Sequence, residues 1–167
     1  MSRLLRHYSP GKVYFVTAVT LNREPILVDM FPAFWHSVEI AQIRQPFDLV
    51  AWAVMPDHVH MIIDPKDSDL SNLLRRIKLA FAYQYRSQCG LYSAKVWQAR
   101  FWDHIIRDQE DMNRHIDYIH YNPVKHALAA SPHKWRYSSF GRYVEDGYYA
   151  PDWGVRERLI FDGDFGE

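Results

Sequence analysis

Two histidines and a tyrosine are the residues of this chain best placed to do chemistry. His58 and His60 lie two apart in the stretch 54–64 (VMPDHVHMIID). On a β-strand, side chains alternate between faces, so both imidazoles would project from one side while Val59, Met61 and Ile63 take the other. A pair of neutral ring nitrogens with open positions beside it suits a divalent metal. For the doublet alone the commoner reading is structural, with one histidine hydrogen-bonded and one solvated. Tyr118 and Asn122 are four apart in a helical stretch and face together, with His115 one turn earlier on that side. A tyrosine beside two metal-binding histidines points to nucleophilic attack on a phosphodiester. Free phenol, with a pKa of ~10, is a poor nucleophile at neutral pH. A metal on the phosphate, or a lysine such as Lys125, closes that gap. Two structural readings compete: Tyr118 as a core ring, and Asn122 as an N-cap with Pro123 at the first position of a short helix to Ala130.

These residues need elements to position them. Residues 12–21 (KVYFVTAVTL) have the β-branched and aromatic character of a strand. The stretch 30–44 carries Phe34, Trp35, Val38 and Ala41 at helical spacing. Residues 47–55 form a second strand, joined through Pro56-Asp57 to the histidine strand 58–64 as a hairpin. Leu70, Leu73, Leu74, Ile77, Phe81 and Tyr85 make one stripe of a helix with Asp69 or Ser71 as cap and Gly90 as terminator. A fourth strand lies within 96–107, and Asp108 with Asp111 begins a helix from Gln109 to about Tyr121. The order β-α-β-β-α-β plus a helix predicts an α+β, ferredoxin-like antiparallel sheet with helices on one face and a C-terminal helix bearing the tyrosine. Its third strand would be central, with both histidines on it. We read 1–167 as a single domain with a core at about 12–143. The acidic stretch at about 145–167 has few apolar anchors after Trp153 and is expected to be loosely held.

Composition narrows the class. The chain has 167 residues, 16% aromatic, with a single cysteine, Cys89, which excludes an internal disulfide and a Cys-based zinc site. No run approaches a membrane span, and Met1–Arg6 lacks the apolar stretch of a leader. The expectation is a cytoplasmic, nucleoid-associated protein of bacterial type with no membrane partner. Net charge is zero, yet 71–100 holds Arg75, Arg76, Lys78, Arg86, Lys95 and Arg100 with no acid, while 145–167 holds seven acids against Arg156 and Arg158. Screening acts over ~8–10 Å, so the local +6 rather than the total meets a phosphate backbone. A solvated helix face is the equal alternative. Trp97, Trp102, Trp135 and Tyr137 are candidate rings for stacking on bases, although a core role is the more frequent fate of any one of them. His104, near the end of the fourth strand, either approaches the site or bonds a backbone carbonyl.

Four motifs occur in order: Pro56-Asp57-His58-Val59-His60; Trp97-Gln98-Ala99-Arg100-Phe101-Trp102-Asp103-His104; Asp117-Tyr118-Ile119-His120-Tyr121-Asn122-Pro123-Val124-Lys125-His126; and Trp135-Arg136-Tyr137-Ser138-Ser139-Phe140. Together, from roughly Tyr14 to Tyr143, the chain resembles the REP-associated tyrosine transposases, single-tyrosine members of the HUH endonuclease superfamily. The resemblance implies a Mg²⁺- or Mn²⁺-dependent endonuclease acting on single-stranded DNA beside palindromic hairpins. It implies His58 and His60 as metal ligands, Asn122 as a third, and Tyr118 as the nucleophile that forms a 5′-phosphotyrosine, resealed by a 3′-hydroxyl. Arg75, Arg76, Lys78, Arg86, Arg100 and Lys125 are the candidate DNA contacts. The expected state is monomer or homodimer. Two features depart from the pattern or complicate it: Ala127 stands where the family run has glycine, and Tyr121 is a second phenol one turn from the first. The rival functions are a domesticated hairpin binder that no longer cuts and a ferredoxin-like metal protein for small molecules.

Overall fold

The computed structural model describes residues 13–167. The predicted strand start at Lys12 and the Met1–Arg6 run lie outside them. Eight main elements follow in order: β1 Tyr14–Val19, α1 Phe31–Arg44, β2 Asp48–Val54, β3 His58–Asp64, α2 Leu70–Cys89, β4 Trp102–Ile105, α3 Gln109–Lys125 and α4 Phe140–Glu145. The four strands form one antiparallel sheet in the order β2-β3-β1-β4, the ferredoxin-like arrangement with β1 and β3 central.

The alternation of β3 divides two cores. Val59, Met61 and Ile63 face α1 and α2, packing with Phe34, Val38, Leu73, Leu74, Ile77 and Phe81. On the opposite face Ile62, Phe15 and Ala51 pack against Met112, Ile116, Tyr118 and Ile119 of α3. His58 and His60 share the face of Ile62 and so lie beneath α3. The Pro56-Asp57 turn that aims them is strapped from outside: the backbone N–H of Thr20 donates to Asp57 at 2.9 Å and that of Leu27 to Pro56 at 2.9 Å.

Local capping follows the sequence signals. The Asp69 side chain accepts from the Ser71 N–H, Gly90 closes α2 at φ 65, and the Asp108 side chain accepts from the Asp111 N–H.

Two expectations are corrected. Asn122 is not an N-cap, because α3 runs through Pro123 to Lys125. The bias against helix before proline is a local preference, overridden here by packing of Tyr118, Ile119 and Tyr121 against the sheet and the residues around it. The helix closes with Leu128 N–H to Pro123 O at 2.8 Å and Ala127 N–H to Val124 O at 3.0 Å, with Ala127 at φ 56. Alanine therefore keeps the turn that glycine would make, at a steric cost. Ala127→Gly is expected to stabilise the protein by about 0.5–1 kcal/mol, read as a raised denaturant midpoint with unchanged slope. The second correction concerns the acidic stretch, which is not loosely held. Phe161 and Phe165 return to α3, and Phe165 is buried with its ring stacked on Tyr118 at 3.7 Å between centroids.

Candidate active site

β3 presents both imidazoles with their inner nitrogens engaged. His58 Nδ1 lies 2.7 Å from Asp57 Oδ1, and the hydrogen bond from His58 holds the Asp57 carboxyl down at about 2 against the opposing effect of burial. His60 Nδ1 lies 2.8 Å from Thr17 Oγ1, its partner across β1, and that hydroxyl donates to Phe165 O at 2.6 Å. The Thr17 oxygen is then the acceptor for the His60 Nδ1–H. Both Nε2 atoms are left facing the same space. Burial lowers the pKa of His60 to about 4, against the raising effect of its hydrogen bond with Glu167.

α3 supplies the opposing groups. Tyr118 is 1% exposed, its hydroxyl donates to Glu167, and Lys125 Nζ donates to the same hydroxyl at 3.0 Å. Burial first, then the Glu167 hydrogen bond, pushes the phenol well above its ordinary range. Asn122 Oδ1 is 3.4 Å from His58 Nε2.

Glu167 is the residue that sequence reasoning missed. One oxygen of its carboxylate lies 2.8 Å from His60 Nε2, 3.8 Å from His58 Nε2 and 2.5 Å from Asn122 Nδ2. The other accepts from Lys125 at 2.6 Å and lies 3.2 Å from His126 Nε2. Burial pushes its carboxyl up, but hydrogen bonds from His126, His60, Lys125 and Tyr118 pull it further down, so it stays ionised. His60 Nε2 and the Glu167 oxygen, 2.8 Å apart, share either a proton or a cation. His58, His60 and Glu167 thus form a cluster whose ligand atoms fit a divalent cation, with the Asn122 amide oxygen adjacent. Equally, the carboxylate fills the space that a phosphodiester would need against Tyr118 and Lys125.

A second cluster, His104, Asp111 and His115, is a structural tie between β4 and α3. Asp111 accepts from His104 Nε2 at 2.7 Å and from the Arg107 backbone and guanidinium, with Arg114 at 3.5 Å, and His115 Nδ1 donates to the Asp111 carbonyl at 2.8 Å. Two guanidinium groups beside that carboxylate oppose a cation. His115 shares a face with Tyr118 but belongs to this tie, stacked on His104 at 4.7 Å.

The remaining predicted residues fall elsewhere. Arg75, Lys78, Arg86 and Lys95 line one groove of about 480 Å³ between α2 and residues 94–101, on the face of the sheet away from Tyr118. Arg76 and Arg100 are exposed. Lys78 is partly drawn into the fold, donating to Gln98 O at 2.7 Å, and burial lowers its pKa. Trp97 is a core ring, donating to Lys78 O at 3.1 Å. Tyr121 packs on Trp153 and Phe161.

His115 and His120 are buried, and burial lowers their pKa values to about 4 and about 3. Below about pH 6.5 the unfolded chain takes up protons that these two folded imidazoles refuse. Stability present above pH 6.5 is therefore lost as pH falls toward 4 and 3, at roughly 1.4 kcal/mol per pH unit per group. Denaturant titrations at pH 7 and pH 5 are expected to show the drop, and His120→Gln is expected to flatten it.

A family model described as "Transposase IS200 like" matches residues 11–122. An Escherichia coli REP-associated tyrosine transposase is 36% identical over 92% of this chain and 91% of its own length. A Haemophilus influenzae protein is 34% identical over 98% of this chain and 99% of its own length. The solved structure of a REP-associated tyrosine transposase bound to a REP hairpin superposes with a TM-score of 0.81 at 34% identity, covering 100% of this chain and 98% of that one.

Proposed function

This chain belongs to the IS200-like transposases, in their REP-associated tyrosine branch, and from that premise we propose that it cleaves and rejoins single-stranded DNA beside palindromic hairpins through Tyr118. The observation that carries the reading is convergence: the Tyr118 hydroxyl, both Nε2 atoms and Lys125 all meet one carboxylate.

His58 and His60, with Asn122 or Glu167 supplying oxygen, would hold Mg²⁺ or Mn²⁺. When bound, the ion supplies positive charge to the non-bridging oxygens of the scissile phosphate. Tyr118 attacks the phosphorus; the new bond is to its phenolic oxygen and the broken bond is to the 3′-oxygen. The phenol gives up its proton, and the departing 3′-oxygen takes one. Lys125, 3.0 Å from the phenol oxygen, holds charge beside the forming phenolate. The reverse attack by a 3′-hydroxyl reseals the strand. Arg75, Arg76, Lys78, Arg86 and Arg100 hold the phosphate backbone along α2 and the loop after it. Both histidines and the tyrosine come from one chain, which supports a monomer acting in cis. Among the described residues no helix is long and apolar enough to cross a membrane.

The test is incubation with a hairpin carrying a single-stranded flank and Mg²⁺ or Mn²⁺, followed by denaturing electrophoresis. A covalent adduct is expected. Hairpin binding without any adduct under either metal would favour the non-cleaving binder.

In this reading, the segment carrying Glu167 must leave before a phosphate enters. Gly166 lets it dock: its φ is 75, and a Cβ there would lie 2.5 Å from Trp102 Cβ. Gly166→Ala removes no group from the site yet strains the docked segment by about 1–3 kcal/mol. Cleavage is expected to rise about 10-fold. A fall instead would make Glu167 a required metal ligand.

A further inference from the structure

Beside the histidine strand, two successive residues hold a backbone conformation that L side chains avoid. Asn22 and Arg23 sit at φ 54 and φ 55, the only consecutive non-glycine pair at positive φ among the described residues. They are the central residues of a turn closed by the Glu24 N–H on Leu21 O at 3.2 Å. Turns with positive φ at both central positions favour Asn-Gly. Asn22 obeys that rule, but an arginine stands where glycine would be free of strain. Packing does not explain it, because both residues are exposed.

The arginine head group does. Its Nη1 donates to Asp57 Oδ2 at 3.0 Å, and the other oxygen of that carboxylate lies 2.7 Å from His58 Nδ1. Resting on the function proposed above, we propose that Arg23 is a positioning residue for the metal site. The strained turn holds its guanidinium against Asp57, which fixes that carboxylate on His58 and keeps His58 Nε2 turned toward the cation.

Two observations single out this role. First, the Pro56-Asp57 turn is strapped only through its backbone. Asp57 O accepts from the Thr20 N–H at 2.9 Å, and His58 O accepts from the Met55 N–H at 2.8 Å. Neither bond touches the Asp57 side chain, whose rotation is checked by Arg23 on one oxygen and His58 on the other. Second, the two turns are built as one piece. The Thr20 hydroxyl lies 2.8 Å from Glu24 O and 3.0 Å from Asp57 O, and the Leu21 N–H donates to Val96 O at 2.8 Å. The strained residue is therefore held at a fixed place relative to the carboxylate it meets.

Stability and metal binding should then respond to one substitution with different signs. Arg23→Gly relaxes the turn to Asn-Gly, and the half-exposed ion pair that it removes contributes little to folding. Its melting temperature is expected to hold or rise. Mn²⁺ affinity of the DNA-free protein, measured by calorimetry, is expected to fall about 10-fold, as when a partner behind a metal-bound imidazole is lost. In the metal-free protein, the His58 Nδ1–H proton, identified by its absence in His58→Ala, should exchange faster with water. Cleavage should need about 10-fold more Mn²⁺ for half-saturation and approach the wild-type rate at saturation. Arg23→Lys keeps the charge on the same backbone, and the contact it replaces is made through Nη1. That variant should stay within about 3-fold of wild-type Mn²⁺ affinity.

Unchanged Mn²⁺ affinity in Arg23→Gly would overturn the assignment; a fall in hairpin affinity in EDTA instead would make Arg23 a phosphate contact. A melting temperature that drops in step with Mn²⁺ affinity would make the ion pair structural and overturn it equally. Both results leave the catalytic reading intact. Absence of Mn²⁺ binding by the wild type would sink the metal-dependent reading itself, and this inference with it.

Discussion

Tyr118→Phe is expected to abolish the covalent protein–DNA adduct, with strand cleavage falling by on the order of 10⁴-fold or more. The substitution deletes one oxygen. The ring keeps its stack on Phe165 at 3.7 Å and its edge contact with Phe15 at 6.1 Å, so the fold and hairpin binding should persist. What disappears is the atom that forms the new bond to phosphorus. The lost hydroxyl also frees Lys125 and Glu167 of a partner, but those two remain paired at 2.6 Å. Tyr121→Phe is the control and should retain the adduct, because its ring lies against Trp153 and Phe161. An adduct that survives in Tyr118→Phe and vanishes in Tyr121→Phe would reassign the nucleophile.

The second large effect is expected from His58→Ala, a fall in cleavage of on the order of 10³-fold, accompanied by loss of Mn²⁺ binding in calorimetry on the DNA-free protein. His58 is 2% exposed, with Nδ1 on Asp57 and Nε2 directed at Asn122. The Asp57 bond fixes which nitrogen would face a bound cation, as a carboxylate commonly does behind a metal-bound imidazole. Asp57 retains Arg23 at 3.0 Å, and the turn retains its backbone straps, so melting temperature should shift by only a few degrees. A severe drop in melting temperature with metal binding unchanged would make His58 structural.

Much of this was legible because it is periodic. A two-residue period placed His58 and His60 together on a strand, and a four-residue period placed Tyr118 with Asn122 on a helix. The strand order followed from the succession of elements, which put β3 in the middle. Asn122 misled because the signal before a proline is strictly local, and contacts of α3 along its whole length outweighed it. Glu167 was invisible for the opposite reason. It meets His60 across a separation of 107 residues, and no local periodicity encodes such docking. Its only traces were Phe161 and Phe165, apolar residues in an acidic stretch, and Gly166 beside them. Of the basic run on α2, Arg75 and Arg76 are exposed as expected while Lys78 and Arg86 are partly drawn in, and nothing in the spacing told which face of the sheet α2 covers.

The docked Glu167 carboxylate also changes what kind of selectivity the reactive centre has. It is a tethered competitor, present at an effective concentration of about millimolar or above that dilution does not reduce. A stray single strand that touches only the reacting phosphate must displace it unaided. On the proposed function, a DNA held at the α2 groove would bring its own phosphate to the site as a second tethered ligand, and so meet the carboxylate on equal terms. Discrimination then lies in displacement more than in reading the reacting phosphate. The enzyme's idle state is a saturated one, and its turnover should depend less on the amount of DNA present than on how many anchoring points each DNA offers.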